Sequence, residues 1–234
     1  MTIPLPISGY VLAGGRSSRM GADKTLLQLA GKPLIEHAVA RLRRVCADVN
    51  ILSSNPALAP YAPLVADLHP GCGPVGGMEA ALTHSSHDWN LFLAVDLPFL
   101  PAAFVYGWAS RWLNSCGDGA RIRLFSDGGH PHPSFCLLHK DVLPFLAEAI
   151  GREDFKLMRI FQNAGRELAT RQGFPAESGL WFQPAEIPAP PDPSAADWPR
   201  ITPAQLAARE LWFANLNTPD DFARAQAHVG ALDT

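Results

Sequence analysis

The run "WNLFLAVDLPFLP" at residues 89–101 is apolar at consecutive positions rather than at alternate ones. A strand of that kind must be covered on both faces, which places it inside a sheet flanked by other elements. The stretch "SGYVLAGG" at 8–15 has the same character and ends in paired glycines. Strand and helix signals alternate along the chain. After Pro33, the positions Leu34, Ala38, Leu42 and Val45 recur at helical spacing; "DVNILSSN" and "APLVAD" read as strands. "GCGPVGGMEAALTHS" reads as a glycine-rich turn feeding a helix, and another helix is expected near 102–114. "RIRLFS" and "SFCLLH" follow as strands, then helices around 142–150 and 156–163. Such alternation predicts a mostly parallel sheet with helical crossovers. Residues 170–206 break the rhythm with eight prolines, and read as a surface excursion within one domain spanning 1–234. The chain closes with "ELWFANLNTPDDFARAQAHV", read as a short strand, a turn at Asn217-Thr218-Pro219 and a helix.

Composition narrows the function classes. A formal net charge of -3 gives no bulk electrostatic reason to bind nucleic acid. No apolar run is long enough to span a bilayer, and Met1 to Ser8 lacks a basic leader pattern, so a cytoplasmic protein with no membrane partner is expected. Cys46, Cys72, Cys116 and Cys136 form no C-x-x-C pair, which argues against a zinc knuckle or redox couple. Basic residues gather twice. Arg16, Arg19, Lys24 and Lys32 lie beside the paired glycines; Arg41, Arg43 and Arg44 sit on the first helix and read as its solvated face.

The glycines point to a ligand class. A bare backbone after a strand lets a ligand come close, and its free N–H groups make a nest for an anion. In an open parallel sheet that position, Gly14-Gly15, lies at the carboxyl edge where ligands bind. A plain structural turn is the alternative, but the clustered Arg16, Ser17, Arg19 and Lys24 favour phosphate. Walker A is excluded because Asp23, not Gly, precedes Lys24, and "GGRSSRMG" does not fit G-x-G-x-x-G.

The segment "LAGGRSSRMGADK…GKP" resembles the signature of nucleotidyltransferases with a Rossmann-like fold, and most resembles the molybdenum cofactor guanylyltransferases, the MobA family. "GPVGGM" at 73–78, "LAVDLPFLP" at 93–101, "NLNTPDDF" at 215–222 and "HPSF" at 132–135 agree in order and spacing. The resemblance implies a three-layer α/β/α architecture and transfer of GMP from GTP to Mo-molybdopterin, with pyrophosphate released. It implies that the backbone of Leu12, Ala13 and Gly14 holds the nucleotide, that Gly15 and the following loop wrap the triphosphate, and that Lys24 neutralises phosphate. Arg19 either assists or pairs with Asp23. Asp96 is expected to hold Mg²⁺, the implied cofactor, since a carboxylate ending so apolar a strand needs a partner; a capping role before Pro98 is the other reading. Asp67 and Ser53 are placed at the nucleoside, Asp67 as a reader of guanine or a contact to ribose. Gly73, Pro74 and Gly77 are expected to shape a loop over it, a plain turn being the other reading.

Asn215 and Asn217 either border the acceptor's pterin or stabilise their turn. His130 and His132 have metal-like spacing but no third ligand, and packing or acceptor binding is expected of them. The implied partners are GTP, Mo-molybdopterin and proteins that make or receive the cofactor, with the enzyme itself a monomer. Two rivals stand beside this reading: a cytidylyltransferase for the same cofactor, and a nucleotide- or pterin-binding accessory protein without turnover.

Overall fold

The computed structural model describes residues 3–14, 23–114, 119–127, 129–183 and 200–233. Its strands are β1 (Leu5–Leu12), β2 (Gln28–Leu29), β3 (Lys32–Pro33), β4 (Cys46–Leu52), β5 (Leu64–Val65), β6 (Trp89–Ala94), β7 (Ile122–Asp127), β8 (His130–His139) and β9 (Leu180–Gln183). Its helices are α1 (Leu34–Arg43), α2 (Gly73–His84), α3 (Ala102–Leu113), α4 (Leu143–Gly151), α5 (Leu157–Arg171), α6 (Pro203–Ala207) and α7 (Pro219–Gln226). One sheet runs β5-β4-β1-β6-β8-β7-β9, while β2 and β3 form a small ribbon of their own. β5, β4, β1 and β6 pair in parallel; β8 opposes both β6 and β7, and β9 runs parallel to β7. The expected, mostly parallel sheet is present, and β8 alone is reversed among these strands.

The layers follow from the two-residue period of a strand. Ile7, Val11, Leu91, Leu93, Phe135 and Leu137 pack on the face that carries α1 and α3. Their neighbours Tyr10, Phe92, Cys136 and Leu138 pack on the other, under α2, α4 and α5. Both faces are dry, which is why these strands read as unbroken apolar runs. The result is the three-layer α/β/α architecture. No helix among the described residues is long and apolar enough to cross a membrane.

Four local expectations need correction. The glycine-rich run is already helix: α2 starts at Gly73, so Pro74 and Gly77 lie within it and not in a loop. Gly71 and Gly73 adopt φ of 92° and 57°, a region that disfavours side chains, and so turn the chain into the helix. The proline-rich stretch does not begin as an excursion. α5 continues to Arg171, and β9 then extends the sheet beside β7 with Leu124 opposite Phe182; residues 184–199 lie outside the described residues. Leu211-Trp212-Phe213 is not a strand: Leu211 ends a tight turn at Arg209–Leu211, and Trp212 and Phe213 follow it. Trp212, 2% exposed, packs its ring 5.2 Å from that of Phe104 on α3. Finally, Arg41 is not on a solvated face. It is 1% exposed, the most enclosed charge of α1.

Candidate active site

Strand register gathers the site. Leu12 stands opposite Leu52 and Ala94, and Leu52 opposite Val65, so β1, β4, β5 and β6 end on one edge. The ladder continues past those ends: Val95 N donates to Leu12 O at 3.2 Å and Ser53 N donates to Val65 O at 3.1 Å. Ala13, Gly14, Ser53, Asp67 and Asp96 therefore follow the tips of four neighbouring strands. No described residue lies within 4 Å of where a Cβ on Gly14 would stand, so among the described residues that backbone is open to a ligand. Gly73 begins α2, the helix that follows β5. Gly15 and Arg19 lie outside the described residues.

Lys24 reaches this edge from a short 3₁₀ turn, Lys24–Leu26. Asp23 caps the turn by accepting from Thr25 N at 3.0 Å and Thr25 Oγ1 at 2.6 Å. Asn55 Nδ2 donates to the other oxygen of Asp23 at 2.7 Å, tying the turn to the segment after β4. Beyond it, Ala30 and Gly31 take φ of 51° and 77°, the backbone of a tight I′ hairpin joining β2 to β3. Held this way, Lys24 Nζ donates to Asp96 Oδ2 and to Asn217 Oδ1, each at 2.7 Å. The Lys24 and Asp96 side chains are only 13% and 18% exposed. Asn217 is fixed in turn. Its backbone N–H, with that of Thr218, donates to Asp221 Oδ2 at 2.9 Å in the capping box of α7. The hydrogen-bonded N–H groups hold Asp221 below the usual carboxylate range.

The strand-tip carboxylate thus has an ammonium for a partner. The same donors suit a divalent ion. Asp96 Oδ2 and Asn217 Oδ1 converge on one cation already, and no cluster of three or more His, Cys, Asp or Glu side chains for a metal exists among the described residues. An ion here would rest on one carboxylate with phosphate and water oxygens, the usual habit of Mg²⁺. The residues present fit it.

Asp67 faces the bare start of α2. A Cβ on Gly77 would stand 3.6 Å from Asp67 Oδ1, and one on Gly76 would stand 3.8 Å from Oδ2. Burial pushes its carboxyl above the ordinary aspartate range. Ser53 Oγ accepts from Asn55 N at 3.1 Å and so shapes the turn that also holds Asp23. Lys32 stands apart: it is 60% exposed and pairs from β3 with Glu36 in the first turn of α1 at 3.3 Å. His132 packs its ring 4.5 Å from that of Phe213. Asn55 was not singled out from sequence, and Asn217 only as one of two readings. Their signal is weak because each acts on a residue far away in the chain.

A mostly parallel sheet with an open glycine segment, a lysine and a carboxylate at its carboxyl edge is the arrangement of a nucleotide-binding α/β domain. The comparisons agree. A family model described as MobA-like NTP transferase domain matches residues 9–169. The chain belongs to that family. It is 38% identical over 166 residues to a molybdenum cofactor guanylyltransferase of Serratia proteamaculans (strain 568), covering 68% of this chain and 81% of that protein. It is 34% identical over 192 residues to one from Yersinia pestis (strain Pestoides F), covering 76% and 95%. Among solved structures it superposes on the molybdopterin-guanine dinucleotide biosynthesis protein A of Archaeoglobus fulgidus, with a TM-score of 0.67 at 21% identity, over 97% of this chain and 100% of that one. That likeness supports the fold.

Proposed function

We propose that this protein transfers GMP from GTP to the terminal phosphate of molybdenum-bound molybdopterin, forming the guanine dinucleotide cofactor and pyrophosphate. The reading rests on the convergence of Lys24, Asp96 and Asn217 at the strand tips, in a chain whose relatives carry the name of that activity. An oxygen of the acceptor's phosphate attacks the α-phosphorus of GTP. A new P–O bond forms, the α–β bridging bond breaks, and its electron pair leaves with pyrophosphate. The protein's part is to position the groups and offset charge. Leu12, Ala13 and Gly14 present backbone to the nucleotide, and the family resemblance assigns Gly15 and Arg19 to the triphosphate. Lys24 leaves its contacts with Asp96 and Asn217 to meet phosphate oxygens as a mobile point charge. Mg²⁺, held by Asp96, supplies further charge neutralisation on the phosphates when bound. Asp67 accepts from the guanine N1–H and exocyclic amine, and Ser53 and Gly73 border the nucleoside. The enzyme works as a monomer in the cytoplasm, and hands its product to proteins that use the cofactor.

The test is pyrophosphate release with purified molybdopterin and each of the four triphosphates. GTP alone is expected to turn over, and Asp96→Ala is expected to stay folded by circular dichroism with transfer lowered by roughly 10³-fold, the scale of losing a principal electrostatic group. Preference for CTP would reassign the enzyme to cytidylyl transfer. Binding of GTP without any pyrophosphate from the wild type would make it an accessory protein.

A further inference from the structure

Asp96 does not sit in the sheet ladder but in the loop 96–101 between β6 and α3, which holds two prolines unable to donate hydrogen bonds. Something else must hold that loop still. Three successive carbonyls, those of Asp96, Leu97 and Pro98, each accept from a donor far away in sequence. Leu216 N donates to Asp96 O at 3.2 Å. Arg41 Nη1 donates to Leu97 O at 3.0 Å, and Arg41 Nη2 donates to Pro98 O. The third arm of this guanidinium, Nε, donates to Asp233 Oδ2 at 3.3 Å. Asp233 itself accepts from Ala102 N, the first residue of α3, and from Gln205 Nε2, each at 2.9 Å. Arg41 thus bridges α1 to the loop, and Asp233 binds Arg41, α3 and α6 into one fixture.

A buried ion pair is a poor way to add stability, because two charges must leave water and a well-packed apolar pair does as well or better. Its geometry is what an apolar pair cannot reproduce. A planar guanidinium offers donors at fixed angles and can hold two carbonyls in set positions. We propose that Arg41 and Asp233 are positioning residues for the transfer reaction, fixing the 97–98 backbone so that the Asp96 carboxylate stays at the strand tip. The proposal rests on the guanylyl-transfer reading and adds to it a support that touches neither substrate.

Asp233→Asn alone strands a buried guanidinium and is expected to destabilise the fold, so it cannot separate the roles. Arg41→Met with Asp233→Asn removes both charges and leaves an acceptor for Ala102 N. That double variant is expected to melt near the wild type while the Leu97 and Pro98 carbonyls lose the guanidinium, leaving Leu97 O only the Leu100 N–H at 3.4 Å. Its kcat should fall about 100-fold, the scale of a misplaced group, with KM for GTP within about threefold. Arg41→Lys keeps the charge opposite Asp233 but brings one nitrogen in place of three, and should lower kcat by about tenfold at unchanged KM. Hydrogen exchange at the Leu216 amide, which reports on the Asp96 carbonyl without any turnover, should quicken in both variants. Wild-type kcat in either folded variant overturns the proposal, as does unaltered Leu216 exchange. Absence of transfer by the wild type would instead overturn the activity reading, and the exchange measurement would still decide whether Arg41 holds the loop.

Discussion

Asp67 carries a pH dependence that follows from where it sits. Burial raises its pKa in the free protein. Only the ionised carboxylate can accept from both donors on the guanine edge. With Asp67 as the proposed reader of the base, the fraction able to bind guanine should drop through the raised pKa as pH falls, and therefore earlier than for an ordinary aspartate of about 3.9. Calorimetric titration of GTP between about pH 4 and 7 should show affinity weakening on the acid side in the wild type. In Asp67→Asn the affinity should be lower at neutral pH and flat across that window. Matching pH profiles for the two proteins would remove Asp67 from base recognition. At this scale much of the site was legible. Asp96 stands out by residue type, as a carboxylate ending an apolar strand, whereas Lys24 stands out through the family resemblance of the segment that carries it. Their contact with Asn217 was not legible, because it closes a separation of 193 residues and only the folded chain brings the two together.

Elements were read well where periodicity is long and badly where glycine or charge interrupts it. The run at 71–77 looked like a loop because glycine is a poor helix former. It is helix, and its glycine at 76 serves close packing: a Cβ on Gly76 would meet both Cys72 Cβ and His69 O at 3.1 Å. Arg41 shows the converse error. It lies three and seven positions beyond Ala38 and Leu34, on the apolar stripe of α1, and its charge hid what its spacing said. β9 was missed because prolines surround it, yet its docking depends on two glycines. A Cβ on Gly179 would stand 1.7 Å from Gly165 O, and one on Gly165 would stand 2.7 Å from Gly179 O. Backbone meets backbone there, with no flexible side chain to yield. Gly179→Ala is therefore expected to lose about 1–3 kcal/mol in urea unfolding, the range for overpacking a close contact. Because β8 and β7 separate β9 from β6, kcat of the folded fraction should hold. Wild-type stability in that variant would mean that α5 and the 176–179 turn do not approach so closely.

For the molecule as a whole, the site is assembled from distant parts of the chain: Gly14 and Lys24 near one end, Ser53, Asp67 and Asp96 between, and Asn217 near the other. An unfolded chain has no such cluster, so a nucleotide that binds there binds the folded state alone and must stabilise it. At a concentration of 100 times Kd the gain is about 2.7 kcal/mol. A chain of this length gains roughly 2–4 °C in Tm per kcal/mol, so GTP with Mg²⁺ should raise the melting temperature by about 5–10 °C. The pattern across ligands distinguishes the contributions. CTP and ATP share the triphosphate but not the guanine edge, and at equal concentration should give smaller shifts. Asp67→Asn should narrow the gap between GTP and the others while leaving the phosphate contribution intact. Asp96→Ala should lower the shift for every triphosphate, because its loss falls on the part they share. Equal shifts for all four nucleotides in the wild type would place recognition wholly on phosphate and ribose, and Asp67 would then lose its assigned part in choosing the base.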